Sequence, residues 1–199
     1  MGMSGDGVEI EYRFFIPDFS KLPPLGKGSK IIQCYLPKWK VELVDGGLTF
    51  ENQVLKDGLQ GEVIRQFEKI LEDGGTIAPR IRLVDGRAFV TVKGPMENYA
   101  RMEWEWEVLE GSVKDLVMSY RFPFVLKTRY VIPAQDGLCW EVDVFEGDNA
   151  GLVLAELEVP ASDYSFVKPE WLGEDVTNDD RFGNVSLARD PWCDWADEM

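Results

Sequence analysis

The sequence predicts an α+β fold in which antiparallel strands close into a β-barrel with a charged interior, and three observations predict it. First, seven β-like segments carry ionisable residues two apart: Glu9-Ile10-Glu11-Tyr12-Arg13, Arg80-Ile81-Arg82, Thr91-Val92-Lys93, Glu103-Trp104-Glu105, Lys127-Thr128-Arg129, Glu141-Val142-Asp143 and Glu156-Leu157-Glu158. Side chains at i and i+2 share a strand face, so each segment has one charged face and one face of Ile, Val, Leu, Trp or Tyr. Second, Asp85-Gly86-Arg87 and Gln135-Asp136-Gly137 are hairpin signals. Third, strand and turn alternate regularly, with few helical stretches between them. Acids and bases converging on one surface in these numbers exceed what solvated strand edges need. A closed barrel with a charged lumen accounts for them.

Taken in order, Val8 to Ile16 is the first strand, and a stretch containing Pro and Gly, Pro17 to Lys30, leads to a second strand, Ile31 to Leu36. Within Pro37 to Gly61, Val41–Val44 and Leu48–Phe50 pair about Asp45-Gly46-Gly47. Val63, Ile64, Phe67, Ile70 and Leu71 fall at helical spacing, which predicts an amphipathic helix over Glu62 to Glu72, stopped by Asp73-Gly74-Gly75. Strands follow over Arg80–Val84, Ala88–Lys93 and Tyr99–Leu109. A short helix spans Ser112–Tyr120, with Ser112 as N-cap and Asp115 three residues on. Phe124–Pro133 and Leu138–Glu146 form the second clear hairpin, and Leu152–Val159 is the last strong strand. A further helix is expected over Asp179 to Ala188.

At 199 residues the chain has the length of one domain, 1–199, with a flexible start at 1–7, an elaboration at 37–76 and an acidic, Trp-containing tail at 189–199. No apolar run reaches a membrane span and no signal-peptide pattern opens the chain, so the expected location is the cytoplasm. The net charge of −15 argues against nucleic acid or an anionic membrane as partner. Cys34, Cys139 and Cys193 lack CxxC spacing and are expected to be reduced thiols. Histidine is absent. That removes Ser-His and Cys-His nucleophile systems, His-ligated zinc and imidazole bases, and leaves catalysis to carboxylates, Lys, Tyr or metal-bound water.

Glu9 and Glu11 on one strand face are hard-oxygen ligands of the kind Mg²⁺ or Mn²⁺ takes, and Glu156 and Glu158 repeat the spacing. With Asp143, these residues make a metal site only if their strands converge. Taken alone, a solvated strand face with cross-strand ion pairs explains them as well. Arg80, Arg82, Lys93, Lys127 and Arg129 are the basic counterparts, suited to phosphate oxygens, and Glu103 and Glu105 are available to pair with them. Leu25-Gly26-Lys27-Gly28-Ser29-Lys30 lacks phosphate-loop spacing and is read as a loop.

These motifs, in this order, resemble the CYTH or triphosphate tunnel metalloenzyme superfamily of inorganic triphosphatases, thiamine triphosphatases and class IV adenylyl cyclases. The ExExK signature stands as Glu9-Ile10-Glu11-Tyr12-Arg13, with Arg13 where the family has lysine. Further matches are Ile32–Leu36, Arg80-Ile81-Arg82, Thr91–Gly94, Arg101–Glu105, Lys127–Tyr130, Trp140–Gly147, Ala155–Glu158 and Trp171–Asn184. The resemblance implies an eight-stranded antiparallel closed barrel, a triphosphate tunnel with flanking helices. It also implies a small-molecule triphosphate as partner, in a monomer or homodimer, and Mg²⁺ or Mn²⁺ as cofactor. Carried over, Glu9, Glu11, Asp143, Glu156 and Glu158 hold metal. Arg13, Arg80, Arg82, Lys93, Lys127 and Arg129 hold phosphates, and Glu9, Glu11, Arg13 and Glu158 form the catalytic set. The implied reaction is metal-dependent triphosphate hydrolysis. Cyclic AMP formation from ATP and non-catalytic triphosphate binding are the alternatives.

Overall fold

A computed structural model of the chain describes residues 10–72, 78–97, 100–119, 121–161 and 163–198. The expected start at 1–7, Glu9 and the Asp73-Gly74-Gly75 stop lie outside them. The described chain is α+β, with a large antiparallel sheet and few helices, and it divides into two compact units, Met1–Ile31 with Val125–Met199, and Ile32–Phe124. The described residues of all seven charge-paired segments lie on strands, with Glu9 of the first outside them.

In the first unit, β1 (Ile10–Phe15), β9 (Phe124–Pro133), β10 (Cys139–Glu146) and β11 (Val153–Val159) hydrogen-bond in the order β1-β11-β10-β9. The registers are antiparallel and set Glu11 opposite Glu158, Arg13 opposite Glu156, Glu141 opposite Glu156 and Asp143 opposite Arg129. The period of two then sorts the sheet. One face carries Phe14, Trp140, Val142, Ala155, Leu157 and Val159, packed under Tyr164, Phe166, Trp171 and Leu172. The opposite face is charged at its middle and apolar at one end. There Phe15, Val125, Phe145 and Leu154 pack with Phe182, Leu187, Trp192 and Trp195 of the C-terminal segment. That segment is fixed by Val176 N–H on the Arg13 carbonyl (2.9 Å) and by Asn149, which donates to the Leu187 carbonyl (3.1 Å) and accepts from Trp192 N–H (2.8 Å). Gly173 passes so close to β1 that a Cβ would stand 2.6 Å from the Phe15 carbonyl oxygen, which is why no larger residue fits there.

In the second unit, β2 (Ser29–Tyr35, which begins in the first unit), β6 (Ala78–Val84), β7 (Arg87–Glu97) and β8 (Ala100–Val108) hydrogen-bond in the order β2-β6-β7-β8. A separate three-stranded sheet comprises β3 (Val41–Val44), β4 (Gly47–Phe50) and β5 (Gln53–Lys56). The β6–β7 turn is a two-residue hairpin with Asp85 and Gly86 both at positive φ (48° and 82°), the geometry that a right-handed twist favours. Helix α1 (Gly61–Glu72) buries Phe67 edge-on against Trp104, with ring centroids 4.6 Å apart. Leu48, Phe50, Leu55 and Phe67 of the 37–76 stretch share one core with Ile81, Val90 and Val92 of the sheet.

Four local expectations change. Leu71 is exposed, so the buried stripe of α1 centres on Phe67. Helix α2 (Glu110–Met118) starts earlier than expected, with Leu109 at the N-cap position, and Ser112 instead donates its hydroxyl back to the Leu109 carbonyl (2.7 Å). The helix expected over Asp179–Ala188 is a 3-10 turn, Asp180–Phe182, followed by the single turn α3 (Asn184–Leu187), because extended Gly183 (φ −70°, ψ 138°) interrupts it. Strand β5 was not expected, and neither was the Glu51-Asn52 turn that leads into it.

Candidate active site

Each unit presents its own charged face. In the first, Glu156 is the hub: its side chain is 7% exposed and accepts from Arg13 Nε and Arg129 Nη2, both at 2.9 Å. Arg13 also donates to Glu11 through Nη2 at 2.6 Å. Partial desolvation, and then the neighbouring Glu156 carboxylate, push the Glu11 carboxyl from its ordinary 4.5 to about 7. Burial works against the charge on Arg13, but Glu156 and Glu11 outweigh it and raise its pKa. Arg129 is likewise desolvated, yet its bonds with Asp143 and the charges of Glu156 and Glu141 hold it firmly protonated. Asp143 is 1% exposed, and Lys127 and Arg129 overcome its burial and keep it ionised. Arg129 grips Asp143 with both Nε and Nη2 and reaches Glu141 with Nη1. Glu158 is exposed and stands across from Glu11.

The strand registers therefore bring Glu11, Arg13, Lys127, Arg129, Asp143, Glu156 and Glu158 onto one face, and Glu9 lies outside the described residues. Among the described residues no group of three or more His, Cys, Asp or Glu is arranged as a metal cage. Glu11 and Glu156 are nevertheless held by the same guanidinium, Arg13, and the Glu156 charge helps raise the Glu11 carboxyl. Two carboxyl groups drawn to one cation are hard-oxygen donors of the kind a divalent cation takes, and Mg²⁺ commonly uses only one or two carboxylates besides water and phosphate. The residues fit such an ion.

The raised Glu11 carboxyl gives a signed prediction. A folded-state pKa above the unfolded one means that the folded chain binds more protons between the two values, so this group's stabilisation is full below about 4.5 and is lost as pH rises through about 7. In metal-free protein, Glu11→Gln is expected to flatten that part of the melting-temperature profile. An unchanged profile counts against the shift.

In the second unit, Arg80, Thr91 and Glu105 lie in one row across β6, β7 and β8. Arg80 Nη2 donates to the Thr91 hydroxyl (3.1 Å), which in turn donates to Glu105 (2.8 Å). Arg82 meets Glu105 at 3.1 Å, and Lys93 meets Glu103 at 2.7 Å. The bases on this face are thus paired with Glu103 and Glu105. Arg80 Nε, however, is buried without a hydrogen-bond partner among the described residues. An orphaned guanidinium N–H on a charged face is costly unless an anion or water meets it. For the triphosphate that the sequence resemblance implies, Arg80→Ala is expected to weaken binding by about 10–100-fold. Affinity unchanged at several ionic strengths would remove Arg80 from the site.

Thr91, Thr177 and Asn184 were given no role from the sequence. Thr91 shares the face of Lys93 two residues on, a signal present in the strand period. Thr177 accepts from Arg13 N–H at 3.0 Å, and Asn184 meets Lys127 at 3.1 Å; both come from the irregular C-terminal segment, where no periodicity marks them.

Fold and site together define an α+β protein whose antiparallel strands hold acids and bases in alternation on a face opposite the core. No family model matches the chain. The chain is 37% identical over 115 residues to an inorganic triphosphatase of Acetivibrio thermocellus, covering 57% of this chain and 72% of that protein. It is 34% identical over 115 residues to an inorganic triphosphatase of Nitrosomonas europaea, covering 57% and 76%. The crystal structure of the inorganic triphosphatase NE1496 matches 90% of this chain and 93% of its own, at a TM-score of 0.55 and 26% identity. The chain belongs to the CYTH, or triphosphate tunnel metalloenzyme, superfamily.

Proposed function

We propose that the chain hydrolyses a triphosphate, with inorganic triphosphate the leading substrate, in a reaction that depends on Mg²⁺ or Mn²⁺. The observation that carries this is the Glu11–Glu156 carboxyl pair set among Arg13 and Arg129 on one strand face, in a relative of two inorganic triphosphatases. In this reading Glu9, Glu11, Asp143, Glu156 and Glu158 would hold the cation, which when bound supplies charge neutralisation of the phosphate oxygens. Arg13, Arg80, Arg82, Lys93, Lys127 and Arg129 hold the phosphate chain. A water oriented by the carboxylates attacks the terminal phosphorus; a P–O bond to water forms as the anhydride P–O bond breaks, the diphosphate part leaves, a carboxylate takes the water's proton, and the guanidinium groups offset the charge that spreads over the phosphoryl oxygens. Arg13 binds and orients but does not shuttle a proton, since a guanidinium stays charged. The reading includes closure of the strands into a tunnel, supported by the confinement of charge to one face of each strand. It also includes a cytoplasmic location, with neither nucleic acid nor membrane as partner. Among the described residues no helix is long and apolar enough to cross a membrane.

The test is phosphate release from inorganic triphosphate, ATP and thiamine triphosphate with Mg²⁺, with Mn²⁺ and with excess EDTA. Cation-dependent release, fastest from inorganic triphosphate, is the expected result. No release from any of the three overturns the proposal, and release unaffected by EDTA overturns its metal dependence.

A further inference from the structure

One aromatic ring interrupts the acids and bases on the second unit's charged face. Phe89 of β7 stands opposite Arg82 on β6 and Glu107 on β8. The rows on one side of it hold Arg80, Thr91 and Glu105, then Lys93 and Glu103; on the other side Arg87 and Val84 lead into the β6–β7 turn. The ring is partly buried, whereas the flanking Ala88 and Val90 point to the opposite face and enter the core. Two guanidinium groups lie over it: Arg82 Cζ is 5.3 Å from the ring centroid and Arg87 Cζ 5.0 Å. Each also has a carboxylate. Arg82 Nη2 donates to both oxygens of Glu105 (3.1 and 3.2 Å), and Arg87 donates to Glu107 through Nε (2.9 Å) and Nη2 (2.7 Å).

We infer that Phe89 is a positioning residue, whose ring holds the Arg82 guanidinium in place for a phosphate oxygen without neutralising it. An aromatic face attracts a cation through its quadrupole and carries no net charge. A carboxylate at position 89 would hold Arg82 too, but it would add to Glu105 and cancel the positive charge. Glu105 alone does not cancel it, because the same carboxylate accepts from Thr91 (2.8 Å) and stands 3.6 Å from Arg80. One acid is thus divided among its neighbours, and the ring supplies the rest of the hold on Arg82. Arg87 differs: Glu107 matches its charge with two hydrogen bonds, so its guanidinium covers the ring rather than meeting an anion. The inference rests on the proposed triphosphate site for what Arg82 is held to bind.

Two experiments on the full chain test this, and the first needs no turnover. Folded protein is treated with 2,3-butanedione, which modifies accessible guanidinium groups, and labelled arginines are read by mass spectrometry. Arg82 labelling is expected to rise about fivefold in Phe89→Leu and to stay within about twofold of the parent in Phe89→Tyr, which keeps the ring. Equal Arg82 labelling in all three proteins overturns the inference. Inorganic triphosphate with Mg²⁺ is expected to protect Arg82 in the parent; absence of protection counts against the hydrolase reading, whatever the variants do. In the second experiment, Phe89→Leu is expected to raise KM for inorganic triphosphate about fivefold with kcat within about twofold, and Phe89→Tyr to restore KM. In an Arg82→Ala background the same Phe89→Leu change is expected to alter KM by less than about twofold, because the group it positions is gone. A full rise in that background, or equal losses in both Phe89 variants, overturns the positioning role.

Discussion

Glu156→Gln is expected to lower triphosphate turnover by about 10²–10³-fold while the protein remains folded. Glu156 is nearly buried and serves three partners at once: Arg13, Arg129 and the protonatable Glu11. The amide keeps one acceptor oxygen for one of the two guanidinium groups, and the backbone ladder of β1, β11 and β10 does not depend on this side chain, so the strand pairing survives. What disappears is the negative charge that holds the two arginines in register and adds to the charge around Glu11. With Glu156 neutral, one cause of the raised Glu11 carboxyl is gone, and its titration is expected to move down towards 4.5. Turnover, circular dichroism and the pH dependence of the melting temperature check the three parts. Near-parent turnover would take Glu156 out of the reaction altogether.

Arg129→Ala has the second large effect, and it falls on stability as well as binding. Removing this guanidinium leaves Asp143, at 1% exposure, with Lys127 alone, and deprives Glu156 and Glu141 of a shared cation. Breaking a buried ion pair by removing one partner costs about 3–5 kcal/mol, because the remaining charge is left desolvated. Urea unfolding should show a loss of that order, and inorganic triphosphate binding should weaken by about 10–100-fold. Arg129→Lys keeps the charge but loses the fork that spans Asp143, so it is expected to recover part of the stability and little of the affinity. A melting curve unchanged by Arg129→Ala would mean that the network around Asp143 contributes no net stability.

Much of the fold was legible because one face of each sheet strand packs against a core. That arrangement writes a period of two into the sequence, and the described residues of all seven charge-paired segments are on strands. Three features escaped for separate physical reasons. Strand β5 follows a turn built from Glu51 and Asn52, both at positive φ (49° and 66°) without a glycine to announce it. Helix α2 begins without a side-chain cap, so Ser112 pointed to the wrong start. Gly183, extended rather than helical, splits the last helix in a way that composition does not show. In the site, the i,i+2 spacing identified the charged face but not the position along it. Lys127 and Arg129 have the same signature, and only the packing of Phe182, Leu187, Trp192 and Trp195 over one end makes the former buried and the latter accessible. Nor does spacing say which strands pair, and the contact of Glu11 with Glu156 depends on β1 lying beside β11.

That pairing also governs the order in which the molecule can be made. Phe15 sits opposite Leu154, so β1 leaves the ribosome long before its partner strand exists. At about 5–20 residues per second, roughly 7–30 s pass between the two. The whole of Ile32–Phe124 is synthesised in that interval and can fold from contacts within itself. Ile10, Tyr12 and Phe14 meanwhile belong to a nascent strand with both edges open, the condition under which strands pair with the wrong neighbour. The charges of Glu11 and Arg13, set between those apolar residues, are there from the first seconds and help keep the waiting strand apart from other chains.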